Sequence, residues 1–400
     1  MLASILDNDF YKFTMQNAIV KLFPRAKVRY NFINRGKNRF PDGFDKYLQE
    51  NINKLTELKL TSSELFFLKE KCSYLDPTYI DFLQGYRFDS NEVKIALKDG
   101  TLEVTIAGYW YRTILWEVPL LAIISELFFR LTGRKTYSQK DILLIAQKKA
   151  LKYNQLGVKI AEFGTRRRYS YKNQDIVVNV LSQYGSSSFI GTSNVHFAMK
   201  YSLIPIGTHA HEWFMFHGAK YGYKMANRLA MEHWVDIYRG NLGIALSDTY
   251  TSKIFFKDFD IKFAKLFDGV RHDSGDPIEF ANRTIAHYKK FNINPNSKTI
   301  IFSDGLNPDK VEEIADFCRN KINISFGIGT DFTNDVGVEP LNIVIKMVEA
   351  KPECHEWTPT VKLSDTVEKY IGGRRPIQLC KDILNIRSLE DNQSKEVTKC

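Results

Sequence analysis

The chain has 400 residues, of which 44% are hydrophobic and 13% aromatic, so it can build a full core and is not a disordered protein. Its formal net charge of +10 suits polyanionic ligands, either nucleic acids or phosphorylated metabolites, and does not decide between them. Five scattered cysteines form neither a CxxC metal motif nor a disulfide framework, which favours a reducing cytoplasmic location. We expect no signal peptide and no membrane span.

The N-terminal third mixes strand patterns with helical ones. Alternating apolar residues predict strands within 27–36 and 100–116, and a Ser/Thr start before an apolar helical period predicts a helix in 61–72. The longest apolar stretch, 115–129, is interrupted by two glutamates and a proline. It therefore predicts a buried helix.

From about residue 157, short apolar runs alternate with helical stretches. The seven runs are VKIAEFGTRR, SFIGTS, LIPIGTHAH, LGIALSD, FDGVRHDSGD, TIIFSDG and ISFGIGT. Alternating β and α units imply a parallel sheet, and seven strand ends suggest an irregular (β/α) TIM-like barrel with an additional N-terminal α/β domain. The predicted units are an N-terminal α/β domain at 1–135, a catalytic barrel at 136–345, and a C-terminal segment at 346–400 that packs back on the N-terminal domain. In such barrels the active site forms at the carboxyl ends of the strands.

Two segments offer aromatic and cationic side chains. DNDFYKFTMQNA (7–18) begins a helix, in which Tyr11 is a core or interface residue. In FGTRRRYS (163–170), Phe163 offers a stacking face, and three successive arginines match planar carboxylates or phosphates. The alternative for at least one of these arginines is a charged rim that faces outward.

Two further strand ends carry small residues or histidines. In GTSN (191–194), Ser193 either donates to a carboxylate or caps the following helix, and the local sequence favours the cap. GTHAHEWF (207–214) contains His209 and His211 without the HExxH spacing of zinc proteases, so metal binding by this pair is weakly indicated. An imidazole here could accept a phosphoryl group. The alternative is a hydrogen-bonded core histidine, with the next glutamate capping the helix.

The last three strand ends combine carboxylates with glycines. In RHDSGDP (271–277), Asp276 is explained as a helix N-cap before a proline, whereas Asp273 could hold ribose hydroxyls or stabilise positive charge at a sugar carbon. Arg271 could pair with a phosphate. FSDG (302–305) repeats the carboxylate and glycine. FGIGTDFTND (326–335) favours a phosphate site over an ordinary glycine turn because it follows the seventh run.

Together these segments resemble the nicotinate phosphoribosyltransferases, a type II phosphoribosyltransferase family. The matching pieces are DNDFYKFTMQ, LWEVPLLAIISE, EFGTRRRYS, GTSN, GTHAHEWF, GIALSDT, RHDSGDP, FSDGLN, FGIGTDFTND and EPLNIVIKM, which follow the family's order from residue 6 to about 348. The family joins nicotinate to 5-phosphoribosyl 1-diphosphate in NAD salvage, giving nicotinate mononucleotide and pyrophosphate. ATP hydrolysis is coupled to this transfer through a phosphohistidine.

The resemblance implies a role for each candidate residue. His211 would be the phosphorylated histidine. Phe163 would stack on the pyridine ring with Tyr11, the latter supplied by the second subunit of a head-to-tail homodimer with shared active sites. Arg166 would face nicotinate and diphosphate, while Ser193 stands where nicotinamide-using relatives carry aspartate and so favours the acid over the amide. The sugar and its phosphates would be held by Arg271, Asp273, Asp304, Gly305, Gly327, Gly329 and Thr330. The expected cofactors are ATP and Mg²⁺, the latter bound through substrate phosphates and not through a protein metal site.

Three other interpretations have specific requirements. A relative that uses quinolinate would need a decarboxylating site and a second carboxylate clamp, and Ser193 disfavours one that uses nicotinamide. A nucleic-acid-binding protein would place its cations on an aromatic-dotted outer face, whereas these arginines stand among glycines and carboxylates. A catalytically inactive scaffold would not need Asp273 and His211. We therefore expect no nucleic-acid partner.

Overall fold

The computed structural model describes residues 2–386, which form two β-sheets surrounded by helices. The strands are β1 (Lys27–Asn34), β2 (Val93–Lys98), β3 (Thr101–Tyr109), β4 (Lys159–Glu162), β5 (Phe189–Thr192), β6 (Ile244–Leu246), β7 (Gly269–His272), β8 (Thr299–Phe302), β9 (Asn323–Ile328), β10 (Ile343–Lys351) and β11 (Thr358–Pro359). The helices are α1 (Phe10–Leu22), α2 (Phe44–Leu55), α3 (Ser62–Lys71), α4 (Pro77–Gly85), α5 (Trp110–Thr113), α6 (Glu117–Thr132), α7 (Gln139–Leu156), α8 (Tyr171–Tyr184), α9 (Val195–Lys200), α10 (His211–Tyr221), α11 (Tyr223–Tyr238), α12 (Ser252–Asp258), α13 (Ile261–Leu266), α14 (Pro277–Lys290), α15 (Pro308–Cys318), α16 (Thr330–Thr333) and α17 (Arg374–Leu384).

The first sheet is antiparallel, with strand order β11-β10-β1-β3-β2. Its central strand β1 alternates buried and partly exposed residues, as a sheet packed on one face requires. β1 pairs on one side with β3 and on the other with β10, which lies more than 300 residues further along the chain. The predicted strands in 27–36 and 100–116, the helix in 61–72 and the buried helix in 115–129 are all confirmed, although strand β3 ends at Tyr109.

The second sheet is parallel, with strand order β5-β4-β9-β8-β7-β6. It contains six of the seven predicted runs, and a helix follows most of its strands, as the βαβ pattern requires. The long helical stretch after residue 210 is two helices, α10 and α11, which meet at Gly222.

A closed barrel is not confirmed, because the parallel sheet has open edges at β5 and β6. The predicted strand LIPIGTHAH, which would have joined them, forms a single bridge between Thr192 and Pro205. Proline has no N–H to donate to a ladder, so pairing stops where Pro205 stands. The chain continues to β6 through a hydrogen bond from Thr208 Oγ1 to the Ile244 carbonyl oxygen, 3.3 Å long.

Helices α6 and α10 pack on the antiparallel sheet and reach the carboxyl ends of the parallel strands. α6 packs against β10 of the first sheet and against the 3₁₀ turn that follows β4 of the second, and α10 also packs against β10. As a result, the carboxyl ends of the parallel strands point toward the antiparallel sheet. The predicted boundaries at residues 135 and 345 stay predictions, and residues 387–400 of the C-terminal segment lie outside the described residues.

Among residues 2–386, no helix combines the length and the apolar character that crossing a membrane requires.

Candidate active site

A cavity of about 1650 Å³ lies at the carboxyl ends of the parallel strands, next to β10. All the predicted site residues except Ser193 line it: Tyr11, Phe163, Arg166, His211, Arg271, Asp273, Asp304, Gly305, Gly327, Gly329 and Thr330. Most of these residues follow strands of the parallel sheet, whose carboxyl ends meet at one edge, whereas Tyr11 lies on α1 and His211 begins α10 after a run that forms no strand of that sheet. The cavity brings all of them together.

His211 is buried at the first position of α10 and is held by hydrogen bonds at both ring nitrogens. Nδ1 lies 3.0 Å from Thr249 Oγ1, and Nε2 lies 3.0 Å from Asp273 Oδ2 and 3.6 Å from Asp248 Oδ1. Burial and the nearby Lys362 lower the pKa of His211 to about 4, although both aspartates act in the opposite direction. The imidazole is therefore neutral at physiological pH, as a nucleophile must be.

Asp273 is the centre of a charged array at the end of β7. Oδ1 accepts hydrogen bonds from Arg271 Nη2 at 2.9 Å and from Ser303 Oγ at 2.8 Å, and Arg271 Nε donates to Ser303 Oγ at 2.9 Å. Burial alone would raise the pKa of Asp273, but Arg271 and His211 hold it well below its ordinary value. The ionised carboxylate therefore accepts from the Nε2–H of His211, which leaves Nδ1 to accept from the Thr249 hydroxyl.

Arg166 and Tyr11 form a second array in the cavity. The guanidinium carbon lies 5.9 Å from the centre of the Tyr11 ring, within the range of a cation–π interaction. Arg166 Nε lies 3.7 Å from Asp9, and Nη1 lies 3.7 Å from Glu117. Tyr11, Glu117 and Asp9 raise the pKa of Arg166, so its charge is fixed.

Tyr11 lines this cavity within its own chain, and its supply by a second subunit stays a prediction. Its ring is 5% exposed, and its hydroxyl donates to Asp9 Oδ2 at 3.0 Å. The homodimer also stays a prediction.

The glycines at the end of β9 leave room for Phe163. A Cβ added at Gly327 would stand 3.2 Å from the Phe163 ring, and one at Gly329 would stand 3.5 Å from the Phe163 carbonyl oxygen. Gly305 has a φ of +57°, a conformation that favours glycine. The position of the Phe163 ring therefore depends on the glycines at the end of β9, and the turn after β8 depends on Gly305.

Ser193 lies behind the cavity wall, and the local capping interpretation is wrong. The N-cap of α9 is Asn194, whose Oδ1 accepts from the Phe197 N–H at 3.1 Å. Ser193 Oγ instead donates to Asp9 Oδ1 at 2.7 Å, and the residue is fully buried. The structure therefore has the other alternative, in which the Ser193 hydroxyl donates to a carboxylate.

The three successive arginines have different environments, and none of them is an outward-facing rim. Arg166 and Arg167 line the cavity. Burial, Arg166 and Arg35 lower the pKa of Arg167 to about 10. Arg168 is 1% exposed and forms two hydrogen bonds with Asp7, of 2.8 and 2.9 Å.

His209 is a buried core residue, but it is not the hydrogen-bonded histidine that the structural alternative for this segment predicts, because its Nδ1 has no hydrogen-bond partner among residues 2–386. It is buried edge-on against Phe214 and Trp234, and burial lowers its pKa to about 3. The adjacent Glu212 does not cap α10, because its carboxylate binds Lys12 and Tyr30. The pair His209 and His211 therefore does not form a metal site.

Several residues at the site were not singled out from sequence. Asp248 and Thr249 contact His211, Lys362 Nζ lies 3.6 Å from Asp248 Oδ2, and Lys369 binds the Asp273 carbonyl oxygen at 2.7 Å and the Asp304 carboxylate. Asp248 ends a predicted strand in the same way as Asp273, and this signal could have found it. The lysines lie in a segment with little regular structure, so no periodic pattern marked them.

The cavity is rich in cations and holds a small oxygen and nitrogen donor cluster. Arg35, Arg166, Arg167, Arg271, Lys346, Lys362 and Lys369 all line it. Donor atoms of His211, Asp248 and Asp273 lie within 4.8 Å of one another, and Asp248 Oδ1 has no hydrogen-bond partner among residues 2–386. This surface can bind polyphosphates, and its carboxylates can stabilise a cation or approach a divalent metal ion.

Comparisons with known proteins place this geometry in a family. The model of the "Nicotinate phosphoribosyltransferase (NAPRTase) family" matches residues 158–392, and that of the family's N-terminal domain matches residues 6–125. The chain belongs to the nicotinate phosphoribosyltransferase family. It is 58% identical to the nicotinate phosphoribosyltransferase of Chromohalobacter salexigens over 96% of this chain and 98% of that protein.

Solved structures of nicotinate phosphoribosyltransferases have the same fold. The enzyme from Porphyromonas gingivalis has a TM-score of 0.94 at 44% identity, over 96% of this chain and 100% of that one. The enzyme from Vibrio cholerae has a TM-score of 0.90 at 35% identity, over 99% of this chain and 97% of that one. The chain therefore shares its overall fold with these two enzymes.

Proposed function

We propose that the chain transfers the 5-phosphoribosyl group of 5-phosphoribosyl 1-diphosphate to nicotinate, giving nicotinate mononucleotide and pyrophosphate in NAD salvage. ATP hydrolysis is coupled to the transfer through a phosphohistidine at His211. The main support is that one cavity combines an arginine and two aromatic rings with a His–Asp–Arg array, in a chain 58% identical to a protein named for this activity.

The aromatic side of the cavity suits a planar pyridine carboxylate. Phe163 and Tyr11 offer ring faces, and Arg166 offers a planar cation that matches a carboxylate. A neutral amide would gain less from this fixed charge than an acid does. Nicotinate is therefore favoured over nicotinamide.

The array of His211, Asp273 and Arg271 suits a ribose that carries phosphates. As the C1–O bond to pyrophosphate breaks, the pair of electrons leaves with the diphosphate and positive charge develops on the sugar. The ionised Asp273 stabilises that charge, while Arg271, Lys362 and Lys369 offer positive charge to the leaving group. The pyridine nitrogen then forms the new bond to C1.

His211 has the partners that phosphoryl transfer from ATP requires. The lone pair of Nδ1 bonds to the γ-phosphorus, the bond from that phosphorus to ADP breaks with its electrons leaving on ADP, and the Nε2–H proton passes to Asp273. The 3.0 Å bond between Nε2 and Asp273 keeps the ring from turning during this step, while the Thr249 hydroxyl gives up its bond to Nδ1. Water later hydrolyses the phosphohistidine and restores the neutral imidazole.

Mg²⁺ would bind through the phosphate oxygens of the substrates, where it supplies charge neutralisation for the leaving group. Asp248 and Asp273 are the carboxylates that such an ion could approach, and the free Oδ1 of Asp248 fits that role. We also propose a cytoplasmic location and a homodimer with shared active sites.

The first test is formation of nicotinate mononucleotide from nicotinate and 5-phosphoribosyl 1-diphosphate with Mg²⁺, with and without ATP. Nicotinamide and quinolinate run in parallel. Product from nicotinate that increases with ATP supports the proposal, whereas faster turnover of either other pyridine would contradict it. Absence of product from all three would reopen a scaffold role.

The ATP coupling is tested by His211→Ala. We expect this variant to keep slow synthesis without ATP and to lose all stimulation by ATP, because the nucleophile is gone. The control is His196→Ala, since His196 binds the Tyr171 hydroxyl at 2.9 Å and does not line the cavity. Stimulation that persists in His211→Ala would refute the phosphohistidine.

A further inference from the structure

Asp9 is a buried carboxylate directly behind the aromatic side of the cavity. It precedes α1, is 1% exposed and does not line the cavity itself. Asp9 occupies the N-cap position of α1, but its side chain forms no capping hydrogen bond. The usual structural explanation for an aspartate at this position is therefore missing here.

The Asp9 carboxylate instead joins three residues of the site. Oδ2 accepts from the Tyr11 hydroxyl at 3.0 Å and lies 3.7 Å from Arg166 Nε, while Oδ1 accepts from Ser193 Oγ at 2.7 Å. The backbone supports the same arrangement, since the Phe10 N–H donates to the Ser193 carbonyl oxygen at 2.7 Å. Both oxygens of one carboxylate are thus used to fix side chains from α1 and from the ends of β4 and β5.

The Arg166 guanidinium lies near Asp9, but its N–H groups donate no hydrogen bond to that carboxylate. Among residues 2–386, no hydrogen bond involves its guanidinium group, and its carboxylate neighbours, Asp9 and Glu117, stand at 3.7 Å. The group is attracted by charge and rests over the Tyr11 ring. Its five N–H donors therefore remain available to a ligand.

We propose that Asp9 is a positioning residue for the pyridine substrate: its carboxylate orients the Tyr11 ring and the Arg166 guanidinium as a clamp for a planar aromatic carboxylate. Ser193 contributes to this clamp through Asp9 and not by touching the substrate. This inference rests on the proposed function and adds to it the way in which the acid is selected.

The test measures the KM for nicotinate and the KM for 5-phosphoribosyl 1-diphosphate in Asp9→Asn. In this variant the hydroxyl groups of Tyr11 and Ser193 no longer donate to an ionised carboxylate. The KM for nicotinate should therefore rise about tenfold. The KM for the sugar diphosphate should stay within about twofold, because none of the groups that Asp9 contacts belongs to the His–Asp–Arg array. Simple electrostatics predicts the opposite sign, since removing a negative charge near Arg166 would tighten binding of an anion.

Two milder variants keep the test decisive even if Asp9→Asn folds poorly. Tyr11→Phe and Ser193→Ala each remove one hydroxyl that donates to Asp9, and each should raise the KM for nicotinate selectively. If Asp9 acts through Tyr11, the double variant of Asp9→Asn with Tyr11→Phe is no weaker in nicotinate binding than Asp9→Asn alone. Binding of nicotinate by calorimetry repeats the comparison without turnover.

The matched control is Asp258→Asn, which removes another carboxylate held by a side-chain hydrogen bond, from Asn227 Nδ2 at 3.0 Å, outside the cavity. It should leave both KM values unchanged. Wild-type turnover with an unchanged or lower KM for nicotinate in Asp9→Asn overturns the inference, as does an equal rise in both KM values. Absence of nicotinate turnover by the wild-type chain would overturn the proposed function, and this inference with it.

Discussion

The adjacent residues Arg167 and Arg168 allow a test of how burial determines whether an arginine stabilises the fold. Arg167 is half-buried and lines the cavity, with no salt bridge to a carboxylate among residues 2–386, whereas Arg168 is 1% exposed and is paired with Asp7. We therefore compare Arg167→Met with Arg168→Met. Each change removes one guanidinium group and keeps an unbranched side chain, and the two positions are adjacent in the same short segment.

The expected cost of Arg168→Met follows from what the guanidinium leaves behind. Asp7 is 0% exposed and accepts two hydrogen bonds from Arg168, and only the bond from Asn194 Nδ2 at 2.7 Å remains. Leaving one partner of a buried ion pair uncompensated costs about 3–5 kcal/mol of the free energy of unfolding. Arg167→Met leaves no buried charge, so its expected change is within about 0.5 kcal/mol.

The free energy of unfolding is measured by urea titration, with tryptophan fluorescence and circular dichroism followed together. A double variant, Asp7→Leu with Arg168→Met, removes both charges and should be more stable than Arg168→Met alone. Equal stability of the two single variants, or a cost below about 1 kcal/mol for Arg168→Met, would refute the assignment of Arg168 to the core.

Three more predictions concern activity. Ser193→Asp would place a second carboxylate beside Asp9, so we expect a higher KM for nicotinate in steady-state assays; an unchanged KM would contradict this charge argument. Gly327→Ala would press a methyl group on the Phe163 ring, which stands 3.2 Å from the added Cβ, and should raise the same KM several-fold while the KM for the sugar diphosphate stays constant. Because the lowered pKa of about 4 keeps His211 neutral at every pH above that value, stimulation by ATP should not fall between pH 8 and pH 6. A midpoint near 6.5 in that profile would show an ordinary histidine instead.

The fold could be predicted from sequence wherever an element follows one simple period. The alternation in β1 and the capping box of α3 are local signals, and both elements formed as expected. The open edge of the parallel sheet was missed, although Pro205 stands in the middle of the run that would have closed it. The apolar composition of this run predicted a strand, but Pro205 has no N–H to donate, and the run forms only a single bridge.

The site could be predicted to the extent that its residues follow strands. The rule that carboxyl ends of parallel strands meet at one edge was enough to bring Arg271, Asp273 and Asp304 together, whereas His211 reaches the same edge at the start of α10 without a preceding strand. It could not show that Ser193 faces Asp9, because the direction of a side chain depends on packing. It also could not find Lys362 and Lys369, which reach the cavity from a segment that no strand or helix period marks.

Strand β10 explains why the site depends on distant parts of the chain. It pairs with β1 in the antiparallel sheet and carries Lys346 into the cavity, 3.9 Å from Glu117 at the start of α6. Burial lowers the pKa of Lys346 to about 8, so the lysine is charged at neutral pH and loses its charge as pH rises above that value. The strand that completes the N-terminal sheet thus also supplies a cation to the catalytic cavity. Because the two roles share one strand, both the complete antiparallel sheet and the full set of cavity cations depend on the C-terminal part of the chain.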